Sequence, residues 1–462
     1  MKILLIAYDN DSHISYFPLG LGYIAAVLRQ AGHKVKIYSQ DVYHFPDKHL
    51  TSYIEKKQPE MVALGMAAGY YQYNKLMAIS RAINSCKNRD NFLYVIGGHI
   101  ASPEPEYFIK LTGCNIVCMG EAEKSICRIA DWQKLSDIKG IAYKDYEDIV
   151  INERSEPVQN LDSLPFPAWD LFPMDHYVLN RYVGIKRNEM SMSVLTGRGC
   201  IYNCNFCYRL EKSQRRRSHE NIIEELKELK SRYGITYFAF LDELLMSSRK
   251  RTREFCQALI NSGLNISFYC NGRLNFADSE TLFYLKEAGC KYINYGIESV
   301  NDLSLLAMNK KLKREAIITG VEKTIKAGIY PGLNMIWGNL ADTKESLKES
   351  TDFLLKYDQC EELRTIRPVT PYPGSPLYYT AIEKGLLGGP SDFYEKHINS
   401  DLLTVNFTGL KDDDFHAALK HANKKLLINF YNKQLKRELA KAEKLYEGDT
   451  EAAKSFRGFR KV

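Results

Sequence analysis

No stretch of this chain stays apolar for the ~18 residues a membrane-spanning helix needs. The longest candidate, Met61 to Gly69, is far too short. The opening residues Met1-Lys2-Ile3-Leu4-Leu5-Ile6-Ala7 have a strand's length and lack a signal-peptide cleavage pattern. A cytoplasmic protein without a membrane span is therefore expected. Net charge is also scarce, +7 over 462 residues. That speaks against a dedicated nucleic-acid binder, so Arg215-Arg216-Arg217 and the Lys-rich C-terminus read as solvated faces. Eleven cysteines in a reducing compartment mean free thiols and a metal site, not a disulfide framework. A second C-x2-C knuckle, which a structural zinc site would use, is missing.

What is present centres on Thr196-Gly197-Arg198-Gly199-Cys200-Ile201-Tyr202-Asn203-Cys204-Asn205-Phe206-Cys207. Three cysteines at C-x3-C-x2-C follow an apolar strand-like run, and Gly197 and Gly199 allow tight backbone turns. Three thiolates on one short loop suit three corners of a cubane iron–sulfur cluster and leave the fourth iron open to a ligand. Cys200-x3-Cys204-x-Phe206-Cys207 resembles the signature of the radical S-adenosylmethionine (SAM) superfamily, including the aromatic residue before the last cysteine. The resemblance implies that Cys200, Cys204 and Cys207 hold a [4Fe–4S] cluster and that SAM chelates the fourth iron. It also implies an electron donor such as flavodoxin or ferredoxin. Reduction would then yield a 5′-deoxyadenosyl radical that abstracts hydrogen from an unactivated carbon.

Residues 1–135 alternate apolar strands (Lys2–Ala7, Lys34–Tyr38, Met61–Gly65, Phe92–Ile96, Asn115–Cys118) with amphipathic helices. This rhythm predicts a parallel, flavodoxin-like sheet whose ligand sits at the strands' carboxyl ends. Those ends carry Leu19 and Gly20 after Pro18, then Gly65, Gly97-Gly98-His99 and Gly120-Glu121. The glycines leave room for a flat ligand. In order and spacing these stretches resemble the cobalamin-binding domain that precedes many radical SAM cores. The resemblance implies cobalamin contacts at Leu19, Gly20, Gly65, Gly97, Gly98, Gly120 and Glu121. The family's Asp-x-His-x-x-Gly motif is altered here, with Tyr16 in place of glycine after Asp11-Ser12-His13. His13 is accordingly expected not to ligate cobalt.

Residues 136–190 read as a short hairpin and a proline-rich connector, with Trp169 as domain glue. Residues 191–385 resume the β-α rhythm with six strands, expected to form an incomplete TIM-type barrel with its active groups at the carboxyl ends. Those ends present Asp242-Glu243, Cys270-Asn271-Gly272-Arg273 and Gly296-Ile297-Glu298-Ser299. Two adjacent acids suit an ammonium group. Glu298-Ser299 and Tyr372-Pro373-Gly374-Ser375-Pro376 resemble SAM-site motifs of the family. That resemblance implies SAM contacts at Phe206, Asp242, Glu243, Arg273, Glu298 and Ser299. The loop Gly338-Asn339-Leu340-Ala341-Asp342-Thr343 departs from the family's Gly-x-Pro-Gly-Glu-Thr. Residues 386–462 read as a helical tail that caps the barrel, or serves solubility or dimerisation. Cys256 and Cys360 read as buried thiols.

The leading expectation is a cobalamin-dependent radical SAM enzyme that methylates carbon in a small-molecule substrate. One alternative is a cyclising or rearranging radical enzyme whose N-terminal domain holds substrate instead of cobalamin. Another is a non-catalytic iron–sulfur or cobalamin sensor.

Overall fold

A computed structural model describes residues 1–9, 16–66 and 73–448. The N-terminal strands are β1 (Lys2–Ala7), β2 (Lys34–Ser39), β3 (Met61–Gly65), β4 (Leu93–Gly97) and β5 (Ile116–Cys118). They pair in parallel in the order β2-β1-β3-β4-β5, the flavodoxin-like arrangement. Ile3 to Ala7 are all buried, as expected of a strand with helices on both faces. The hairpin β6 (Ile141–Asp145) and β7 (Asp148–Ile151) adds antiparallel strands to β5, giving seven in all. It therefore belongs to the first sheet and not to the connector.

The connector does act as glue. Trp169 is 2% exposed and packs at a tilt against Phe17 with ring centroids 4.4 Å apart. The Ala168 amide bonds the Gly22 carbonyl at 3.0 Å.

The second sheet begins with β8 (Met190–Val194). A short antiparallel pair, β9 (Gly197–Arg198) and β10 (Arg215–Arg216), brackets the cysteine loop. Then follow β11 (Ile235–Phe240), β12 (Ser267–Gly272), β13 (Cys290–Glu298), β14 (Tyr330–Trp337) and β15 (Arg367–Pro368). The order β8-β11-β12-β13-β14-β15, parallel throughout, makes an open half-barrel.

The sixth strand is short: only Arg367 and Pro368 pair with β14. The reason lies in the tail. Asn423 on the helix Asp412–Tyr446 accepts from the Ile366 amide at 2.8 Å and donates to its carbonyl at 2.9 Å. One side-chain amide thus replaces the missing strand neighbour. Phe415 stacks on Trp337 at 4.3 Å. The tail helix therefore covers the barrel's open edge.

One expectation needs correcting. Arg215, Arg216 and Arg217 form no solvated face: Arg215 and Arg217 are buried and Arg216 is half-buried. Cys360 is buried, as expected, in a loop at φ +56°. The helix after β5 begins at Glu123, which leaves Gly120-Glu121 in the loop before it. His13 and the segment 67–72 lie outside the described residues.

Candidate active site

The cysteine loop is fixed by its backbone at both ends. At the entrance, the Thr196 amide donates to Asp242 Oδ1 at 2.7 Å and the Thr196 hydroxyl bonds Asp242 Oδ2. A Cβ on Gly199 would overlap the Ser213 carbonyl, and one on Gly197 would lie 2.7 Å from the Arg215 carbonyl. Both glycines therefore serve the close approach of β9 to the returning chain, and Gly199 also takes φ +83°. At the exit, Asn205 and Asn339 exchange side-chain bonds of 3.0 and 2.9 Å. The Asn205 amide donates to the Met308 carbonyl at 3.0 Å, and Leu377 donates to the Asn205 carbonyl at 2.8 Å. The altered Gly338–Thr343 loop is thus a support for the cysteine loop. Asp342 holds it by accepting from the Gly338 and Asn339 amides, both at 2.9 Å.

The three thiols lie near enough to act on one another electrostatically. Burial first, then the Cys204 and Cys200 sulfurs, pushes the Cys207 thiol up, with Lys310 opposing and Glu298 adding. Burial also raises the Cys200 thiol, with Cys204 and Glu243 adding and Arg273 opposing. Among the described residues no three His, Cys, Asp or Glu side chains converge on a single-ion site. A cubane takes each thiolate on a different iron, so a spread loop is compatible with it.

The predicted SAM residues surround this loop, in different states. Arg273 lies 3.5 Å above the Tyr202 ring of the loop itself and bonds the Lys310 carbonyl. Glu298 ends β13 at φ +70°, a backbone that costs a non-glycine residue about 1 kcal/mol or more. Its carboxylate pairs with Lys310 Nζ at 2.9 Å, both side chains nearly buried. Lys310 Nζ in turn sits 5.6 Å from the Phe206 ring centroid. Ser299 accepts from the Asn301 amide at 3.1 Å. Glu243 is exposed and accepts from the Gly199 amide at 2.9 Å.

Asp242 differs from its neighbour, because both its oxygens are committed to Thr196. Burial above all raises its carboxyl to about 6, with the Thr196 bonds opposing. An acid with a raised folded value adds stability fully below its unfolded value of about 3.9. That contribution is lost as pH rises through about 6. Between pH 7 and 4 the unfolding free energy of wild type should gain about 2 kcal/mol on that of Asp242→Asn. Denaturant titrations at both pH values check this, and a pH-independent difference would contradict it.

The N-terminal strand ends meet the barrel face to face. A Cβ on Gly374 would lie 2.5 Å from the Tyr208 ring and 2.8 Å from Pro103. His99 meets Tyr208 edge-on at 5.9 Å, and burial lowers its pKa. The predicted cobalamin glycines divide into two groups. A Cβ on Gly20 would meet nothing within 4 Å, and one on Gly65 only Leu21 at 3.9 Å, so both leave open surface. Gly98, at φ +95°, is small because the Met66 carbonyl abuts it, Gly97 rests on Cys118 at 3.4 Å, and Gly120 faces Glu211 at 3.1 Å. Leu19 packs in the core.

Glu121 is not available to a ligand. It takes Arg215 in a two-pronged pair at 2.6 and 2.9 Å and lies 3.3 Å from Arg198. Burial alone would raise its carboxyl, but Arg215 and Arg198 outweigh this and hold it below the usual range. Glu123 pairs with Arg198 at 2.7 Å. The Gly-Glu-x-Glu stretch thus grips the hairpin that brackets the cysteines. Sequence reasoning missed this link, although the three consecutive arginines were the visible signal.

The B12 binding domain family matches residues 2–130, and the Radical SAM superfamily matches residues 194–354. An uncharacterized methyltransferase of Pyrococcus horikoshii is 31% identical over 404 residues, spanning 84% of each chain. An anaerobic magnesium-protoporphyrin IX monomethyl ester cyclase of Cereibacter sphaeroides is 24% identical, over 79% of this chain and 60% of its own. The fold is shared with the cobalamin-dependent SAM radical enzyme OxsB, solved with aqua-cobalamin and SAM. Its TM-score is 0.67 at 20% identity, over 86% of this chain and 56% of that one. The chain belongs to the radical SAM superfamily, among the members that carry a B12 binding domain ahead of the radical core.

Proposed function

We propose that this chain is a cobalamin-dependent radical SAM enzyme that methylates an unactivated carbon of a small-molecule substrate. The observation that carries this reading is that the strand-end loops of the first domain meet the segment just after the three cysteines. His99 lies edge-on to Tyr208 at 5.9 Å and Gly120 faces Glu211 at 3.1 Å. The donor sets fit the groups. Three thiols on a loop locked at both ends suit a cluster with one open iron. Gly20 and Gly65 offer unobstructed backbone to a flat corrin.

Cys200, Cys204 and Cys207 would hold the cluster, with Phe206, Glu243, Arg273, Glu298 and Ser299 around SAM. Asp242 would act through Thr196 by positioning the loop. Gly20, Gly65, Gly97, Gly98 and Gly120 would lie along cobalamin. When bound, the cluster and SAM supply the radical that removes a hydrogen atom, and cobalamin supplies the methyl group. The chain's own work is to orient these groups and keep water out. Among the described residues no helix is long and apolar enough to cross a membrane. Together with an oxygen-sensitive cluster, this supports a cytoplasmic enzyme served by a donor such as flavodoxin or ferredoxin.

Glu298→Ala should weaken SAM binding about tenfold or more, the worth of a charge-assisted bond, while iron content stays at the wild-type level. Anaerobic equilibrium dialysis with SAM checks this; unchanged affinity would move the SAM site elsewhere. The cyclase relative keeps ring formation as a second reading. S-adenosylhomocysteine formed alongside 5′-deoxyadenosine marks methylation, and its absence during turnover favours cyclisation.

A further inference from the structure

The half-barrel carries a half-open chamber of about 460 Å³ walled by β12, β13, β14, the residues before β15 and the connector near Tyr182. A row of polar side chains runs across the strands towards it. Asn271 donates to the Asp242 carbonyl at 2.8 Å, Asn294 to Asn271 at 3.2 Å and Asn334 to Asn294 at 2.9 Å. Arg364 completes the row by donating to Asn334 at 2.7 Å. The row therefore starts beside the cysteine loop's support and ends on a guanidinium.

Charge in the chamber is one-sided. Arg181, Arg364 and Arg367 line it, and Glu362 is the only acid among its described lining residues. Arg181 bonds the neutral carbonyls of Lys186, Arg187 and Glu189, which leaves its charge uncompensated. Arg367 pairs with Asp401 at 3.0 Å. Arg364 is 9% exposed in its side chain and pairs at 2.8 Å with Glu362, which is 52% exposed. A half-exposed partner holds weakly and can swing to solvent when a better anion arrives. The planar guanidinium suits two-pronged capture of a carboxylate or phosphate.

We propose that this chamber is the substrate subsite, and that Arg364 anchors an anionic group, carboxylate or phosphate, of the substrate. This rests on the enzymatic reading above. Arg364 bonds Asn334, which pairs in register with Gly296 of β13, two residues before Glu298. The substrate's charged end is therefore held on the amino-terminal side of the SAM contacts, with the Asn row meeting polar groups beside it.

The test uses calorimetry on the anaerobically reconstituted full chain, without SAM or reductant. Phenylacetate and phenyl phosphate are the probes, with benzyl alcohol as the neutral control. At least one anion should bind about tenfold or more tightly than benzyl alcohol, and the stronger of the two names the anion class. Arg364→Gln should erase the preference and Arg364→Lys keep part of it. Glu362→Gln should tighten anion binding several-fold, a gain that a purely structural Arg364 would not give. Equal binding of anions and benzyl alcohol would overturn the proposal. So would a preference that survives Arg364→Gln, or an anion affinity that Glu362→Gln leaves unchanged or lowers. Release of 5′-deoxyadenosine by wild type is measured separately, and its absence would remove the enzymatic reading without touching anion binding.

Discussion

Alanine at Cys200, Cys204 and Cys207 together is expected to remove chain-bound iron and abolish 5′-deoxyadenosine release. Wild type should hold about four irons per chain, the triple variant close to none. Elemental analysis and the visible spectrum of anaerobic protein report this. The effect should be complete because no other cysteine is placed to substitute. Cys86, Cys114, Cys118, Cys256, Cys270, Cys290 and Cys360 are all buried. Burial pushes Cys86 up to about 11 and Cys114 and Cys118 up to about 12. None of them shares one short loop with two other cysteines, as three ligands of one cubane do. Cys127 is partly exposed but stands on the helix Glu123–Ala130, away from any second cysteine motif. Iron retained by the triple variant would place the cluster elsewhere. Zinc in its place in wild type, with no cluster on reconstitution, would end the radical reading.

Glu121→Ala is expected to lower stability by about 3–5 kcal/mol, the cost of leaving a buried charge without its partner. Arg215 would lose both prongs of its pair, with its side chain only 6% exposed. Arg198 would keep Glu123 alone. The Val158 amide, 3.0 Å from Glu121, would lose its acceptor as well. Because Arg198 and Arg215 belong to β9 and β10, the loss should also loosen the cysteine loop and speed loss of iron to a chelator. Denaturant titration and chelation rates, both anaerobic, measure the two effects. A change below about 0.5 kcal/mol would mean that water already screens these charges.

The sequence was most readable where one physical signal dominated. Strands β1, β3 and β14 are apolar runs between helix patterns, and the sheet order follows from the β-α rhythm. The cysteine loop was legible because three thiols and two glycines admit few other uses. Interactions between distant segments were harder to see. The Asn205–Asn339 exchange joins positions 134 apart, and neither asparagine has a local pattern. The Arg215–Glu121 pair crosses the domain boundary, so the arginines looked like surface charge. Asp242 and Glu243 are adjacent in the loop just past β11 yet unlike in role, since Asp242 is buried against Thr196 and Glu243 is exposed. Gly98 and Gly120 are small for the sake of their own neighbours, a reason that strand-end position alone does not reveal.

The most direct test of the central claim is cobalamin retention by anaerobically reconstituted full-length chain after gel filtration, read alongside SAM cleavage. About one cobalamin should co-elute with about four irons per chain, and the same fraction should release 5′-deoxyadenosine with SAM and a reductant. A chain that cleaves SAM yet retains no cobalamin would contradict the claim. The N-terminal domain would then be a substrate-holding unit, and methyl transfer through cobalamin would fall.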